Sequence, residues 1–187
     1  MLLRKTDVKK VIPCYRQLLM EYPTFEDLSK ADEASLTKML LPLGIHRTRP
    51  TQLKKIAKIL VEKFKGQLPD TPEDLQTSLH GLGVGRYIAN SVFCLSEGRD
   101  LPMLDANSVR VIQRVFSLES LKKRPREDQR FWDFLASLIP RGRGRELNLG
   151  IIDFAAKVCT ARNPRCETCR LNAICDYYES ASSAKYK

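Results

Sequence analysis

No part of this chain is both long and apolar. A membrane-spanning helix needs about 18 or more consecutive apolar residues, and no stretch comes near that. An export signal is missing too, since Met1-Leu2-Leu3 is followed at once by Arg4-Lys5. No segment alternates as a half-buried strand does, nothing repeats, and there is no low-complexity tract. Acid is in short supply: 22 Asp+Glu face 32 Lys+Arg, a net charge of +10. That excess suits a polyanion, nucleic acid first, although charge alone is weak evidence. The expected compartment is the cytoplasm. At 187 residues there is room for one sizeable domain or two small lobes.

What is present has helical period. Val8, Val11, Ile12, Tyr15, Leu18 and Leu19 make one apolar stripe that stops near Pro23, and Thr24 is placed to cap a short helix through Leu28. Ser35–Leu41 reads as a further short helix. Leu53, Ile56, Ala57, Leu60 and Phe64 define a longer one that stops at Gly66. Thr71-Pro72-Glu73-Asp74 is a helix start, with Thr as cap, Pro in the first turn and an acid at the third position. Helices follow over 88–96, 107–116, 131–138 and 149–158. The fold class is all-α. The first helix shows no evident cap.

Four of the six cysteines, Cys159, Cys166, Cys169 and Cys175, are spaced C-x6-C-x2-C-x5-C. Zinc fingers pair their ligands at short, repeated spacings, and the bacterial ferredoxin run is C-x2-C-x2-C-x3-C. Four thiolates so close in a loop-rich stretch suit one tetrathiolate centre, and a [4Fe–4S] cluster fits better than zinc. The plainer alternative is a pair of disulfides. Cys14 and Cys94 sit alone in apolar helical stretches and read as ordinary buried thiols.

Between two helices lies Leu79-His80-Gly81-Leu82-Gly83-Val84-Gly85-Arg86-Tyr87, a helix-hairpin-helix pattern. Glycine at alternate positions permits positive φ and lets backbone N–H groups approach a phosphate. The next helix adds its N-terminal dipole. The plain alternative is an ordinary helix–helix turn. Asp105 falls in Leu101-Pro102-Met103-Leu104-Asp105-Ala106-Asn107, directly before a helix; taken alone it reads as a cap. Basic residues gather beside turns at Arg4-Lys5, His46-Arg47, 141–145, Arg162 and Arg165, as phosphate contacts require. Lys122-Lys123-Arg124-Pro125-Arg126 reads instead as a solvated linker.

Hairpin, loop aspartate and cysteine spacing together resemble the helix-hairpin-helix DNA glycosylases of the endonuclease III and MutY superfamily, over nearly the whole chain. The archaeal mismatch-specific thymine glycosylases resemble it most, through Leu2–Thr6, Gly85-Arg86-Tyr87, Val92–Leu95, Asp105-Ala106-Asn107, Asn148-Leu149-Gly150 and Asp153-Phe154. The resemblance implies two helical lobes: a six-helix barrel carrying the hairpin, 1–100, and an iron–sulfur lobe, 101–187. Asp105 matches the family's catalytic carboxylate. Tyr87 stands where bifunctional members have Lys, which implies a monofunctional enzyme. It implies DNA contacts at Arg4, Lys5, His46, Arg47, Gly83, Gly85, Arg86, Arg162 and Arg165, and cluster ligands Cys159, Cys166, Cys169 and Cys175.

Two departures stand out. Leu82 replaces a Pro common in this hairpin, and a helix with a functional Glu that precedes Leu2 in the family is missing here, so the barrel lobe is expected to lack its N-terminal part. The expected activity is release of thymine or uracil mispaired with guanine, with duplex DNA carrying a mismatched or damaged base as partner. A monomer without membrane contact, in the cytoplasm on the nucleoid, completes the expectation. The alternatives are a short MutY-like adenine glycosylase and a DNA-binding module without catalysis.

Overall fold

Helix starts in this chain are fixed by short polar side chains. The Thr24 hydroxyl accepts the Asp27 N–H while the Asp27 carboxylate accepts the Thr24 N–H, a reciprocal capping box. Asp32 accepts the Ser35 N–H at 2.8 Å, and Thr71 accepts that of Asp74 at 3.1 Å. The first helix is capped as well, contrary to the sequence expectation: Asp7 Oδ1 accepts the Lys9 N–H at 2.9 Å.

The structure, a computed structural model, describes Leu2 and residues 7–185, with side chains through residue 180. Arg4 and Lys5, expected to contact DNA, lie outside the described residues. Those described form the helices α1 (Val8–Glu21), α2 (Phe25–Lys30), α3 (Glu33–Leu40), α4 (Arg49–Phe64), α5 (Pro72–Ser78), α6 (Arg86–Glu97), α7 (Ala106–Phe116), α8 (Gln129–Ser137), α9 (Gly144–Lys157) and α10 (Asp176–Lys185). Short 3-10 turns join some of them, and no strand occurs among the described residues. The all-α expectation holds. The chain divides into two compact units, Met1–Ala89 and Asn90–Lys187, and α6 runs from the first into the second. No described helix is long and apolar enough to cross a membrane.

In the first unit α2 and α3 pack on α4. Leu36 and Leu40 are completely enclosed, with Val11, Cys14 and Leu18 of α1 against the same core. The apolar stripe of α1 is therefore only half internal. Val8, Ile12, Tyr15 and Leu19 remain about half exposed. Successive helical residues are 100° apart, so a stripe running from Val8 to Leu19 through both sets is wider than one neighbouring core can cover.

In the second unit α7 packs on α9 through Val111, Val115 and Ala155, and α8 contributes Phe131 and Leu135, both fully buried. Before α8, Asp128 gathers its loop: its carboxylate accepts from the Leu121 N–H, the Ser120 hydroxyl and Arg130. Arg130 beside it, then those N–H and O–H donors, holds the Asp128 carboxyl well below the usual carboxylate range.

Helix α9 starts five residues ahead of its sequence-based start at Leu149. Its own sequence offers no cap. Asp100 supplies one from afar, with Oδ2 accepting the Gly142 N–H at 2.6 Å and Oδ1 that of Gly144 at 2.9 Å. Gly144 is obligatory for this approach, because a Cβ there would sit 2.9 Å from the Asp100 Cα.

Two outcomes follow for stability. Asp100→Ala removes a cap and should lower unfolding free energy by about 1 kcal/mol, read from the urea midpoint; an unchanged midpoint would mean the first turn of α9 stands without it. Asp128 has a folded pKa depressed below its unfolded value. Its contribution is therefore complete well above pH 4 and is lost as pH falls through the acid range. Asp128→Asn should flatten the fall in stability measured between about pH 6 and pH 3.

Candidate active site and iron–sulfur binding segment

The hairpin joins α5 to α6. Leu79 is buried at the end of α5, and its carbonyl accepts the Leu82 N–H at 3.1 Å, closing a turn. Gly81 and Gly83 have φ of +78° and +79°, the left-handed region that disfavours a side chain. The Gly85 carbonyl accepts the N–H groups of Ile88 and Ala89, so α6 begins directly after it. First-turn amides of a helix have no acceptor within it, and glycines at 83 and 85 leave backbone accessible beside them. Both are exposed, as is His80, while Arg86 and Tyr87 are half-buried in the first turn of α6.

Beneath the turn lies a residue that the periodicity argument missed. Arg49, only 5% exposed, places Nη1 3.4 Å from where a Cβ on Gly83 would be, with the Gln52 amide at 3.8 Å. The available signal was Pro50, a first-turn proline that marks the start of α4 four residues before Leu53. His46 and Arg47 occupy the turn before α4. Arg47 is exposed; His46 is half-buried, with Nδ1 enclosed and lacking a hydrogen-bond partner.

Asp105 caps α7. Its Oδ1 accepts the N–H groups of Asn107 and Ser108, each at 2.8 Å, and the Ser108 hydroxyl lies 3.1 Å away. Its Oδ2 takes one bond, from the Asn107 side-chain amide at 2.8 Å. The cap reading is thus correct, and it leaves one oxygen of a half-buried carboxylate with spare acceptor capacity. Asn107 is itself held by Arg110, whose Nη1 donates to its Oδ1 at 3.2 Å. The other nitrogens of Arg110 reach the carbonyls of Ala155 and Cys159, both at 3.0 Å.

The four spaced cysteines come together. Cys159, Cys166, Cys169 and Cys175 line one recess with Arg114, Phe154, Pro164 and Tyr177. Arg114 donates to the carbonyls of Thr160 and Ala161, comes within 3.5 Å of Cys159 Sγ and stacks 4.9 Å from the Tyr177 ring centre. Burial pushes the Cys166 thiol up, and Cys175, Cys159 and Cys169 push it further. Cys166 therefore favours its neutral thiol, and a bound metal centre would supply the positive charge that holds it as a thiolate. Among the described residues no three His, Cys, Asp or Glu side chains form a group suited to a single ion. Four thiols around one recess, with Val115, Phe154 and Val158 also in its wall, are a ligand set that an iron–sulfur cluster takes. Arg162 and Arg165 are exposed on the loop between the first two cysteines. Cys14 and Cys94 are buried and free, as expected.

A helical chain with this hairpin, this capping carboxylate and this cysteine recess has the makings of a DNA repair protein with an iron–sulfur segment. It belongs to the HhH-GPD superfamily of base excision DNA repair proteins, whose model matches residues 1–137. Residues 159–175 match the iron–sulfur binding domain of endonuclease III. The chain is 43% identical to the thymine/uracil-DNA glycosylase of Pyrobaculum aerophilum, over 96% of its own length and 78% of that protein's. It is 37% identical to the thymine-DNA glycosylase of Aeropyrum pernix, over 96% of this chain and 80% of that one. A solved thermostable thymine-DNA glycosylase superposes with a TM-score of 0.86 at 34% identity, covering 96% of this chain and 81% of that structure.

The metal assignment has a direct test. Anaerobically purified protein should hold about four irons per chain and show the broad visible absorbance of a [4Fe–4S] centre. Cys169→Ser should lower both and reduce the melting temperature of the second unit, because metal binding there is coupled to folding. Colourless protein with one zinc per chain would reverse the assignment.

Proposed function

We propose that this chain is a monofunctional DNA glycosylase that releases thymine or uracil mispaired with guanine. The observation carrying the reading is the state of Asp105: a carboxylate held by its own helix N-terminus, with Oδ2 bonded, among the described residues, only to Asn107. Breaking an N-glycosidic bond builds positive charge at the sugar C1′, as in other glycoside hydrolyses. A fixed carboxylate beside C1′ stabilises that charge or takes a proton from the attacking water. Thymine and uracil depart as delocalised anions, so no acid need protonate the base first.

The target nucleotide must leave the stack to reach Asp105. Arg4-Lys5 and the turn bearing His46 and Arg47 are assigned to the gap it leaves and to the opposite strand. Gly83, Gly85 and Arg86 are assigned to a phosphate at the hairpin. Tyr87, at the start of α6, supplies a ring or hydroxyl for the flipped base and offers no amine. The thiolates of Cys159, Cys166, Cys169 and Cys175 are assigned to the cluster. When bound, it holds their loop together so that Arg162 and Arg165 face the DNA backbone. The protein acts as a monomer on mismatched duplex DNA, in the nucleoid.

The test is a panel of duplexes containing G·T, G·U, A·8-oxoguanine or thymine glycol, scored for alkali-labile breaks. Release is expected from G·T and G·U. Release only from A·8-oxoguanine would make it an adenine glycosylase, and binding without release a DNA-binding module. Asp105→Asn should abolish turnover while mismatch binding survives; near-native turnover would reduce Asp105 to a cap. Borohydride should trap little covalent DNA–protein complex, and efficient trapping would mean that a lysine reaches the sugar. Arg162→Ala and Arg165→Ala should each lower the salt slope of DNA binding by roughly one unit, equally for all duplexes.

A further inference from the structure

The segment that delivers Asp105 to its place has no regular secondary structure. Yet Pro102, Met103 and Leu104 are buried. An extended backbone buried outside any sheet must still find partners for its N–H and C=O groups. Here side chains provide them. Asn148 of α9 spans the segment: its Oδ1 accepts the Met103 N–H at 2.8 Å, and its Nδ2 donates to the Leu101 carbonyl at 2.9 Å. Asn90 of α6 donates from Nδ2 to the Pro102 carbonyl at 2.9 Å. The Ser108 hydroxyl accepts the Asp105 N–H at 2.8 Å. Both asparagines are almost wholly enclosed, at 2% and 4% exposure. One residue upstream, Asp100 ties the same segment to the first turn of α9.

Backbone groups of Leu101, Pro102, Met103 and Asp105 are therefore bonded by side chains from α9, α6 and α7, and Asp100 anchors the upstream end through its own carboxylate. We propose that Asn148 and Asn90 are positioning residues for the reacting carboxylate. They fix the backbone leading to Asp105 and so set where Oδ2 stands relative to the sugar. The inference rests on the role assigned to Asp105 above. At position 148 asparagine is required because one short amide must both donate and accept. An aspartate at 148 would still accept from Met103, but it would turn a carboxylate oxygen toward the carbonyls of Leu101 and Gly144, which now accept from Nδ2 at 2.9 and 2.7 Å. A displacement of the order of 1 Å at a reacting group costs about 100-fold in rate.

The experiment uses the full chain with its cluster. Single-turnover release of uracil from a G·U duplex is measured beside affinity for the same duplex carrying a non-hydrolysable 2′-fluoro-deoxyuridine. Asn90→Ser, which removes one bond, should slow release by about 10- to 100-fold with affinity unchanged. Asn148→Asp should slow it further; where it fails to fold, Asn90→Ser and Asn90→Asp carry the test. A merely structural role would lower the melting temperature and leave the rate per folded molecule alone. Folded, iron-loaded Asn90 variants releasing uracil at the unmodified rate would overturn the inference, as would a loss of rate matched by an equal loss of affinity. An unmodified chain that released no base from any duplex would overturn the functional assignment and this inference with it. An active chain with unaffected variants overturns the inference alone.

Discussion

Two guanidinium groups one turn apart on α7 hold the unfinished end of α9, and much of the second unit depends on that contact. A helix leaves its last carbonyls without partners. Arg110 takes that of Ala155 in the last turn and that of Cys159 just past it, and Arg114 takes those of Thr160 and Ala161 in the loop beyond. Fixed cations there also complement the negative end of the helix dipole. The consequence reaches both ends of α7. At one end Arg114 closes the loop carrying Cys159 and sits in the wall of the cysteine recess. At the other, Arg110 orients Asn107, which bonds to Asp105 Oδ2. Candidate carboxylate and candidate cluster loop are thus registered against the same pair of packed helices.

That arrangement divides the positive charge of the chain into two classes. Arg49, Arg110, Arg114 and Arg130 are structural cations, held under a turn, against carbonyls or against Asp128. Arg47, Arg162 and Arg165 stand exposed on loops. Cations already bonded inside the protein release fewer counterions when a polyanion binds, so the net charge of +10 overstates the electrostatic footprint available to DNA. Surface pairs reduce it further, as Arg143 with Glu146 and Lys157 with Asp153 illustrate.

What was legible in the sequence is what local chemistry writes. Thr24 and Thr71 cap helices through partners three residues away, and both starts were readable. The cysteine spacing marked one recess, and Asp105 stood out as a residue at a helix start. What escaped depends on partners distant in the chain. The start of α9 is set by Asp100, 44 residues before Gly144. The outward half of the α1 stripe has a helical period as good as the inward half, and only packing tells them apart. Arg49 is charged and looks like surface by composition, yet it is buried under the hairpin with Nη1 beside Gly83. Asn148 stood in a stretch that matched the family and Asn90 in none, yet neither showed its partner; their meaning lies in a buried segment that has no strand beside it.

Asp105 as a helix cap and Asp105 as a reagent are compatible, and the first shapes the second. Capping saturates Oδ1 with two backbone donors and brings a hydroxyl near it, which fixes the plane of the carboxylate. Oδ2, with a single amide donor, keeps the lone-pair capacity that a cationic sugar or a water proton would use. A carboxylate fixed in this way suits electrostatic stabilisation of a developing oxocarbenium, because its position needs no reorganisation as the charge forms. Such a site needs a leaving group that departs without much help. Thymine and uracil meet that demand as delocalised anions, whereas adenine needs a proton from elsewhere. The cap therefore leaves Oδ2 as the oxygen of Asp105 that is open to the proposed sugar cation.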